Sequence, residues 1–415
     1  MTATLEPKGS YEGVPLYTFD DSERAPILTH QERWGVLAER HPAFRSDFGP
    51  GFWVITDAQA IQAAYHDPAT FSNAAIEPAE PNPKHFFIPE MLDPPEHTAW
   101  RQLLARDFSP TTVAGMTDEI RDTARRLIAE IAPQGGGDVL DLFARQFPTR
   151  IFMRKMGLPA EDLDQFLVWV EELLHLSVDE DPGRARRMKA FSEVSDYFDH
   201  QITLRRSDPR DDLLSRAMTW TVGGEPISDT DMHAFCVLMF VAGLDTVPIA
   251  FGYSFYHLAT HPDDRRAIVN DPALISTAVE EILRVYSFSQ PARLATRDVV
   301  LAGCPIKAGE MAHLPLAVVN RDPSRYENPS EVDLNRKTTN HVTFGSGPHR
   351  CLGSHLARLE LNIGLEEWHK VIPEYRLADG ENPMQFGTLY GPESMRLSWS
   401  PDAQADRHRN GDVRR

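Results

Sequence analysis

Apolar positions recur with a 3.6-residue period along much of this chain, and each such stretch predicts a helix that buries one face. The pattern is clear over Ala58 to Tyr65, over WRQLLARDF just after His97, and over Thr117 to Ile131, and helical patterns continue to about residue 290. Two tight runs rich in aromatic and β-branched residues, Gly51 to Thr56 (GFWVIT) and Ala295 to Leu301, predict strands. Between Ile76 and Pro95 the prolines at 78, 81, 83, 89, 94 and 95 forbid a regular helix or a central strand. That segment is expected to be a long shaped loop, of the kind that often carries function. The longest apolar run, Phe235 to Ala259, is interrupted by Asp245, Pro248 and His257, so it is read as a buried helix and not as a membrane span. Residues 321–343 have turn chemistry with little periodicity, and a last helix is expected just after Cys351.

Composition narrows this picture. Hydrophobic residues make up 41% of the 415 positions and charged residues 25%, enough apolar surface to enclose a cofactor. With no linker-like stretch in view, residues 1–402 are expected to form a single domain that is mainly α with a smaller β-rich portion. Residues 403–415, polar and charged, read as a flexible tail. A net charge of -19 opposes encounters with nucleic acid or anionic lipid. The N-terminal stretch lacks the basic and apolar segments of an export signal. Three cysteines, Cys236, Cys304 and Cys351, are too few for a disulfide framework. Both features point to a reducing cytoplasm.

Candidate chemistry gathers at Cys351. The segment Phe344-Gly345-Ser346-Gly347-Pro348-His349-Arg350-Cys351-Leu352-Gly353 is a glycine-rich loop that delivers a cysteine to the start of an amphipathic helix. Backbone N–H groups and the positive end of a helix dipole stabilise a thiolate, and glycines let those amides approach the sulfur. A buried structural cysteine beside a glycine turn is the plainer alternative. A second constellation lies inside the apolar run, where Ala242-Gly243-Leu244-Asp245-Thr246 puts a carboxylate next to a hydroxyl. Here Gly243 is expected to open a groove, Thr246 to hold water, and Asp245 to relay protons from solvent. Alternatively, Thr246 bonds back to a helix carbonyl and Asp245 finds a basic partner. Pro248, lacking an N–H, is expected to widen any distortion at this point.

The cysteine loop matches F-x-x-G-x-[HR]-x-C-x-G at every fixed position, and on that segment the chain resembles the cytochrome P-450 family of haem-thiolate monooxygenases. The resemblance extends to A-G-x-D-T at residues 242–246, to E-x-x-R at Glu281 and Arg284, and to H-x-x-x-R at His97 and Arg101. It covers about Phe52 to Trp399 and is similar in pattern to the camphor-hydroxylase branch, for example in Gln146 to Met153 and His355 to Arg358. It implies the cytochrome P-450 fold and haem b, with Cys351 as the axial ligand of the iron. By the same resemblance Asp245 and Thr246 are catalytic, and His97, Arg101, Arg293 and His349 hold the propionates. Ala242, Gly243, Phe344, Gly347 and Gly353 complete the cofactor contacts, and Glu281, Arg284 and Arg336 form a brace behind the cysteine loop.

The pocket lining that the resemblance implies is His85, Phe87, Leu238, Val241, Leu244, Ser289, Thr388 and Leu389. His85 stands where the camphor branch has a tyrosine, and Pro291 replaces an aspartate, so camphor itself is not the expected substrate. A largely apolar lining suits a monoterpenoid or a small aromatic molecule. The resemblance further implies electrons from a two-iron ferredoxin with its NAD(P)H-dependent reductase. Arg101, Arg106, Arg350, His355 and Arg358 are the expected docking charges. Two other classes stay open at this stage: a haem-thiolate sensor that does not turn over, and an enzyme that uses peroxide directly.

Overall fold

The computed structural model describes residues 6–20, 23–176, 181, 184–337, 339–387 and 389–401. The expected tail, 403–415, lies outside the described residues. Helices dominate, and those that build the site are α1 (Ala58–Tyr65), α2 (Glu96–Ala105), α3 (Thr117–Ile131), α4 (Gln146–Met156), α5 (Leu163–Val170), α6 (Ala185–Ser207), α7 (Asp229–Leu244), α8 (Thr246–Thr260), α9 (Ile275–Val285) and α10 (Ser354–Val371). The local chemistry explains several of their starts. Asp57 caps α1 by accepting from the Ala60 N–H at 2.7 Å, and Ser228 caps α7 through the Asp231 N–H at 3.1 Å.

The expected strand at 51–56 is Phe52–Ile55, buried throughout. It sits inside a seven-stranded sheet whose order is Gly9–Tyr11, Val14–Tyr17, Ala43–Ser46, Phe52–Ile55, Met311–His313, Ala292–Ala295 and Phe71–Ser72. Val14–Tyr17 runs parallel to Ala43–Ser46, Met311–His313 runs parallel to Phe52–Ile55, and the remaining neighbours are antiparallel. The run expected as one strand at 295–301 is divided. Ala292–Ala295 stays in the large sheet, whereas Val299–Leu301 turns away to pair with Cys304–Ile306. The polar turn Thr296-Arg297-Asp298 makes the division. Thr296 donates its N–H to Thr70 O at 2.9 Å, and Asp298 accepts from the Ala308 N–H at 3.0 Å.

The apolar run at 235–259 is two helices, not one. Helix α7 ends at Leu244, Asp245 has φ −110° and ψ −43°, and α8 starts at Thr246. Pro248 accounts for the break, because it has no N–H for the Leu244 carbonyl one turn earlier. The α7–α8 segment is long and apolar enough to cross a membrane by composition, yet most of it is buried inside the fold.

Two apolar clusters meet along this broken helix. One joins the large sheet to α3, α8, α9 and α10, with Phe255 edge-on to Trp368 at 4.8 Å. At Gly364 of α10 a Cβ would lie 2.6 Å from the Phe251 ring, so only glycine lets α8 and α10 approach this closely. The second cluster joins α2, α4, α5, α6 and α7 around Phe152, Phe166, Phe198 and Phe240.

Candidate functional site

The cysteine loop is held in shape by its own backbone. Gly345 and Gly347 have φ of 74° and 69°, the left-handed region that glycine occupies without strain. At Gly347 a Cβ would fall 2.1 Å from Tyr65 O, which fixes the loop against the end of α1. The Cys351 N–H donates to Phe344 O at 2.7 Å. Burial pushes the Cys351 thiol upward from its ordinary range, and the Gly353 backbone N–H opposes that push, as do the charges of Arg101 and Arg350. Cys351 is exposed by its own contact surface although protein surrounds it closely at longer range. That is the condition of a side chain lining an internal cleft. Ala242 on α7 is exposed in the same way beside buried Leu244 and Asp245.

A cluster of cationic and imidazole groups lies close by. The His97 and His349 rings are 3.9 Å apart between centroids. His97 Nδ1 and His349 Nε2 are buried without a hydrogen-bond partner. Burial, reinforced by Arg101, pushes His97 down to about 4; burial, His97, Arg293 and Arg101 push His349 down as well. Arg101 Nη2 donates to Arg350 O at 2.6 Å, while the Arg293 guanidinium stacks on Tyr65 at 4.9 Å. Two orphaned nitrogens beside buried Arg293 and half-buried Arg101 form a site for anionic oxygens. With Cys351 at the cleft, these residues fit a haem and its two propionates. Among the described residues no group of three or more His, Cys, Asp or Glu side chains is placed to hold a bare metal ion, so a lone thiolate needs a metal that arrives with its other ligands.

The glutamate and arginine of E-x-x-R are both 0% exposed. Arg284 donates to Glu281 Oε1 at 2.8 Å and Oε2 at 2.9 Å. Its remaining N–H groups reach the carbonyls of Asn320, Pro329 and Glu331 at 3.0, 2.5 and 2.7 Å. Arg336 Nε lies 2.9 Å from Glu281 Oε2. One buried carboxylate thus ties α9 to the irregular segment that precedes the cysteine loop.

Several expectations change. The space beyond Gly243 is filled by Phe152, which a Cβ would meet at 2.9 Å, so this glycine serves close packing of α7 on α4 and opens no groove. Leu244 is fully buried in the second apolar cluster and lines no open space. The His85 ring packs on Phe191 of α6 with centroids 3.9 Å apart. Arg358 forks onto Glu280, at 2.6 and 2.9 Å, and covers the Phe344 ring at 4.3 Å, so it is occupied inside the loop and leaves the docking face. Phe87, Leu238, Val241, Ser289 and Leu389 are half-buried. Thr388 lies outside the described residues. The Thr246 hydroxyl bonds back to Ala242 O at 3.3 Å, and Asp245 has a basic neighbour, His175, at 3.0 Å.

The sequence reading missed Asn73, Glu90 and Glu280. Asn73 Nδ2 donates to Glu90 O at 3.0 Å and reaches His349 Nδ1 at 3.1 Å. Burial pushes the Glu90 carboxyl upward against the pull of Arg293 and Arg101. Glu280, next to Glu281, accepts from His341 Nε2 at 3.0 Å as well as from Arg358, and its doubled carboxylate with Glu281 was the only sequence signal for it.

Burial raises Glu280, but bonds from His341 and Arg358 and their charges outweigh it, leaving the carboxyl at about 2. A depressed carboxyl stabilises the fold above the ordinary carboxylate range, and that contribution disappears as pH falls through the folded value. Glu280→Gln is therefore expected to lower stability at pH 7 by up to about 3 kcal/mol. The difference from the parent in denaturant titrations should shrink below about pH 4.5. A difference that stays constant down to pH 3 would contradict this ion cluster.

A pocket of about 620 Å³ between α3 and α10, lined by Arg125, Ile128, Glu367, Lys370 and Pro401 among others, contains none of these groups. Its carboxylate, Glu367, is already paired with Arg121, Arg125 and Lys370.

The sequence profile of the cytochrome P-450 family matches residues 37–273 and 267–377. The probable cytochrome P-450 127A1 of Sinorhizobium fredii is 35% identical, over 85% of this chain and 84% of its own. The vitamin D(3) 25-hydroxylase of Pseudonocardia autotrophica is 33% identical over 79% of this chain and 82% of its own. The crystal structure of CYP101J2 superposes with a TM-score of 0.84 at 32% identity, covering 96% of this chain and 100% of that one. A haem-dependent monooxygenase fold is thereby defined, mainly α with a smaller sheet portion. The chain belongs to the cytochrome P-450 family, and its cofactor is haem iron.

Proposed function

We propose that this protein inserts one oxygen atom from O2 into a small hydrophobic molecule, a monoterpenoid or small aromatic, and that the Cys351 sulfur would hold the iron of haem b. The observation that carries the reading is the setting of Cys351, where the Gly353 N–H supports the sulfur and the His97, His349 and Arg101 cluster adjoins the loop through the Arg101 bond to Arg350 O. His97, Arg101, Arg293 and His349 would hold the propionates, and Phe344, Gly347 and Gly353 would shape the loop around the ligand. The bound haem supplies the reductive activation of O2.

Around it, the protein's own groups position substrate and protons. Phe87, Val241, Leu238 and Leu389 offer apolar surface, and Ser289 is a single polar handle. The packing of His85 on Phe191 draws the proline-rich loop onto α6, which favours a compact substrate over a bulky one. Thr246, at the break between α7 and α8, holds water by its hydroxyl, and Asp245 passes protons to it. An intact carboxylate and hydroxyl favour turnover with O2 over gas sensing or direct use of peroxide.

Electrons are supplied by a separate protein, read here as a two-iron ferredoxin with an NAD(P)H-dependent reductase, in the cytoplasm. Exposed Arg106, Arg350 and His355 remain as docking charges for an acidic partner. A screen of small terpenoids and aromatics for the haem spin-state shift tests the substrate class, and a shift given only by large polycyclic molecules would overturn it. Thr246→Ala is expected to go on consuming O2 while releasing peroxide in place of product. Unchanged product per NADH in that variant would remove Thr246 from the proton path.

A further inference from the structure

The strand Phe71–Ser72 and the end of the proline-rich loop are bolted together by one carboxylate. Asp93 accepts from the Ser72 hydroxyl and, at 3.0 Å, from the Asn73 N–H. The loop end is itself tied by the Met91 N–H to Phe87 O at 2.8 Å and anchored by buried Ile88, Met91 and Leu92. This junction sets Asn73, which is fully buried, between Glu90 and His349. Asn73 Nδ2 donates to Glu90 O at 3.0 Å, and lies 3.3 Å from Glu90 Oε1 and 3.1 Å from His349 Nδ1. Glu90 is half-buried by its own surface, yet its charge is felt at Cys351, Arg101, Arg293 and Tyr65. The carboxyl therefore stands beside the cysteine loop, among the groups read above as the propionate cradle.

The charges there leave no room for another anion. Among the described residues the cations that face Glu90 are Arg101 and Arg293, and two propionates would match them charge for charge. Asp93 is held by Ser72 and Asn73, Arg350 is exposed, and the imidazoles of His97 and His349 face the same space as hydrogen-bonding rings. Carboxylates that share one site do not all ionise. Burial already raises Glu90 against the pull of Arg293 and Arg101, and propionate charge beside it would raise it further. Asn73 Oδ1 is buried and has no donor. A carboxylate beside it offers none, whereas a carboxylic acid does.

From this junction we propose that Glu90 is a further haem-binding residue, which Asn73 positions to meet a propionate as a neutral acid. The proton stays on Glu90 and is shared with the propionate through a hydrogen bond. Where Glu90 is ionised before haem enters, one proton is taken from water as the cofactor binds. Haem is then held most firmly where the carboxyl keeps its proton, and the hold loosens as pH rises through the Glu90 range. The inference rests on the propionate assignment proposed above.

Two measurements on the haem-loaded protein test it. In the first, transfer of haem to excess apomyoglobin is timed between about pH 6 and pH 9. The parent is expected to lose haem faster as pH rises, by up to about tenfold per pH unit. Glu90→Gln keeps a neutral donor at every pH, so its profile should be flatter. Parallel profiles would overturn the proposal. In the second, infrared spectra at about pH 7 are searched for the C=O stretch of a protonated carboxyl. One such band is expected to vanish in Glu90→Gln and to remain in Glu360→Gln, where burial pushes another carboxyl up to about 8. If no band depends on Glu90, the neutral acid is ruled out. Arg101→Ala separates the two readings, since it should hasten haem loss at every pH. If it does and the Glu90→Gln profile parallels the parent's, Glu90 fails alone. If neither variant alters haem loss, the propionate assignment falls with it.

Discussion

Cys351→Ser is expected to yield a protein that folds but no longer gives the red-shifted Soret band of the ferrous carbonyl complex, and that has lost monooxygenase turnover. The expectation follows from what supports the sulfur. The Gly353 N–H and the charges of Arg101 and Arg350 all favour the ionised form, while burial and Glu90 oppose it. A serine hydroxyl in that place is far harder to ionise and gives the iron a weaker electron donor, and an electron-rich thiolate is what favours O–O cleavage in this class of site. The backbone bond from the Cys351 N–H to Phe344 O does not involve the side chain, so the loop itself should survive. Circular dichroism reports the fold and carbon monoxide difference spectra report the ligand. A variant with full turnover and the parent's red-shifted band would show that the iron's ligand is elsewhere.

Arg284→Ala is expected to have the largest effect on stability, on the order of 3–5 kcal/mol, because it strands Glu281 in the interior with part of its pairing lost. Arg336 at 2.9 Å offsets only a fraction. The carbonyls of Asn320, Pro329 and Glu331 would lose their donor at the same time. Arg284→Lys should rescue little, since an ammonium has three donors where this guanidinium makes five bonds. Denaturant titration measures the loss, and the fraction of protein that retains haem measures whether the cysteine loop depends on it. A lysine variant of parental stability would mean that the fork geometry is unimportant.

Those two sites were legible in the sequence because their information is local. A glycine at 347 must tolerate a close backbone approach, and a cysteine four residues later is placed by the same loop. The periodic helices at 58–65 and 117–131 match the structure to the residue for the same reason, since each pattern spans its own element. The break at Asp245 was half legible: Pro248 announced a distortion, but a helix that is apolar all round gives no phase from which to read where it bends.

Long-range pairings were not legible. Gly243 looked like an opening because nothing near it in sequence shows that Phe152 fills the space. Leu244 was assigned to the pocket by resemblance, and only the packing of α4 against α7 shows it sealed inside. Arg358 looked like a surface charge until α9 placed Glu280 beside it. His175 had no motif at all, because its contact with Asp245 depends on a π-helical turn some seventy residues away.

The pairing of Ala25–Pro26 with Met384–Gln385 has a consequence for how the protein is made. Trp34 Nε1 reaches the Tyr390 hydroxyl at 3.0 Å, and Arg24 forks onto Glu393, so residues 24–34 are closed by residues 384–393. The same closing segment carries Leu389, the residue read as part of the pocket wall. While the ribosome still holds the C-terminal segment, the N-terminal portion lacks its partner and the cofactor cleft lacks one side. Stable capture of haem is therefore expected only after residues 384–393 have reached residues 24–34.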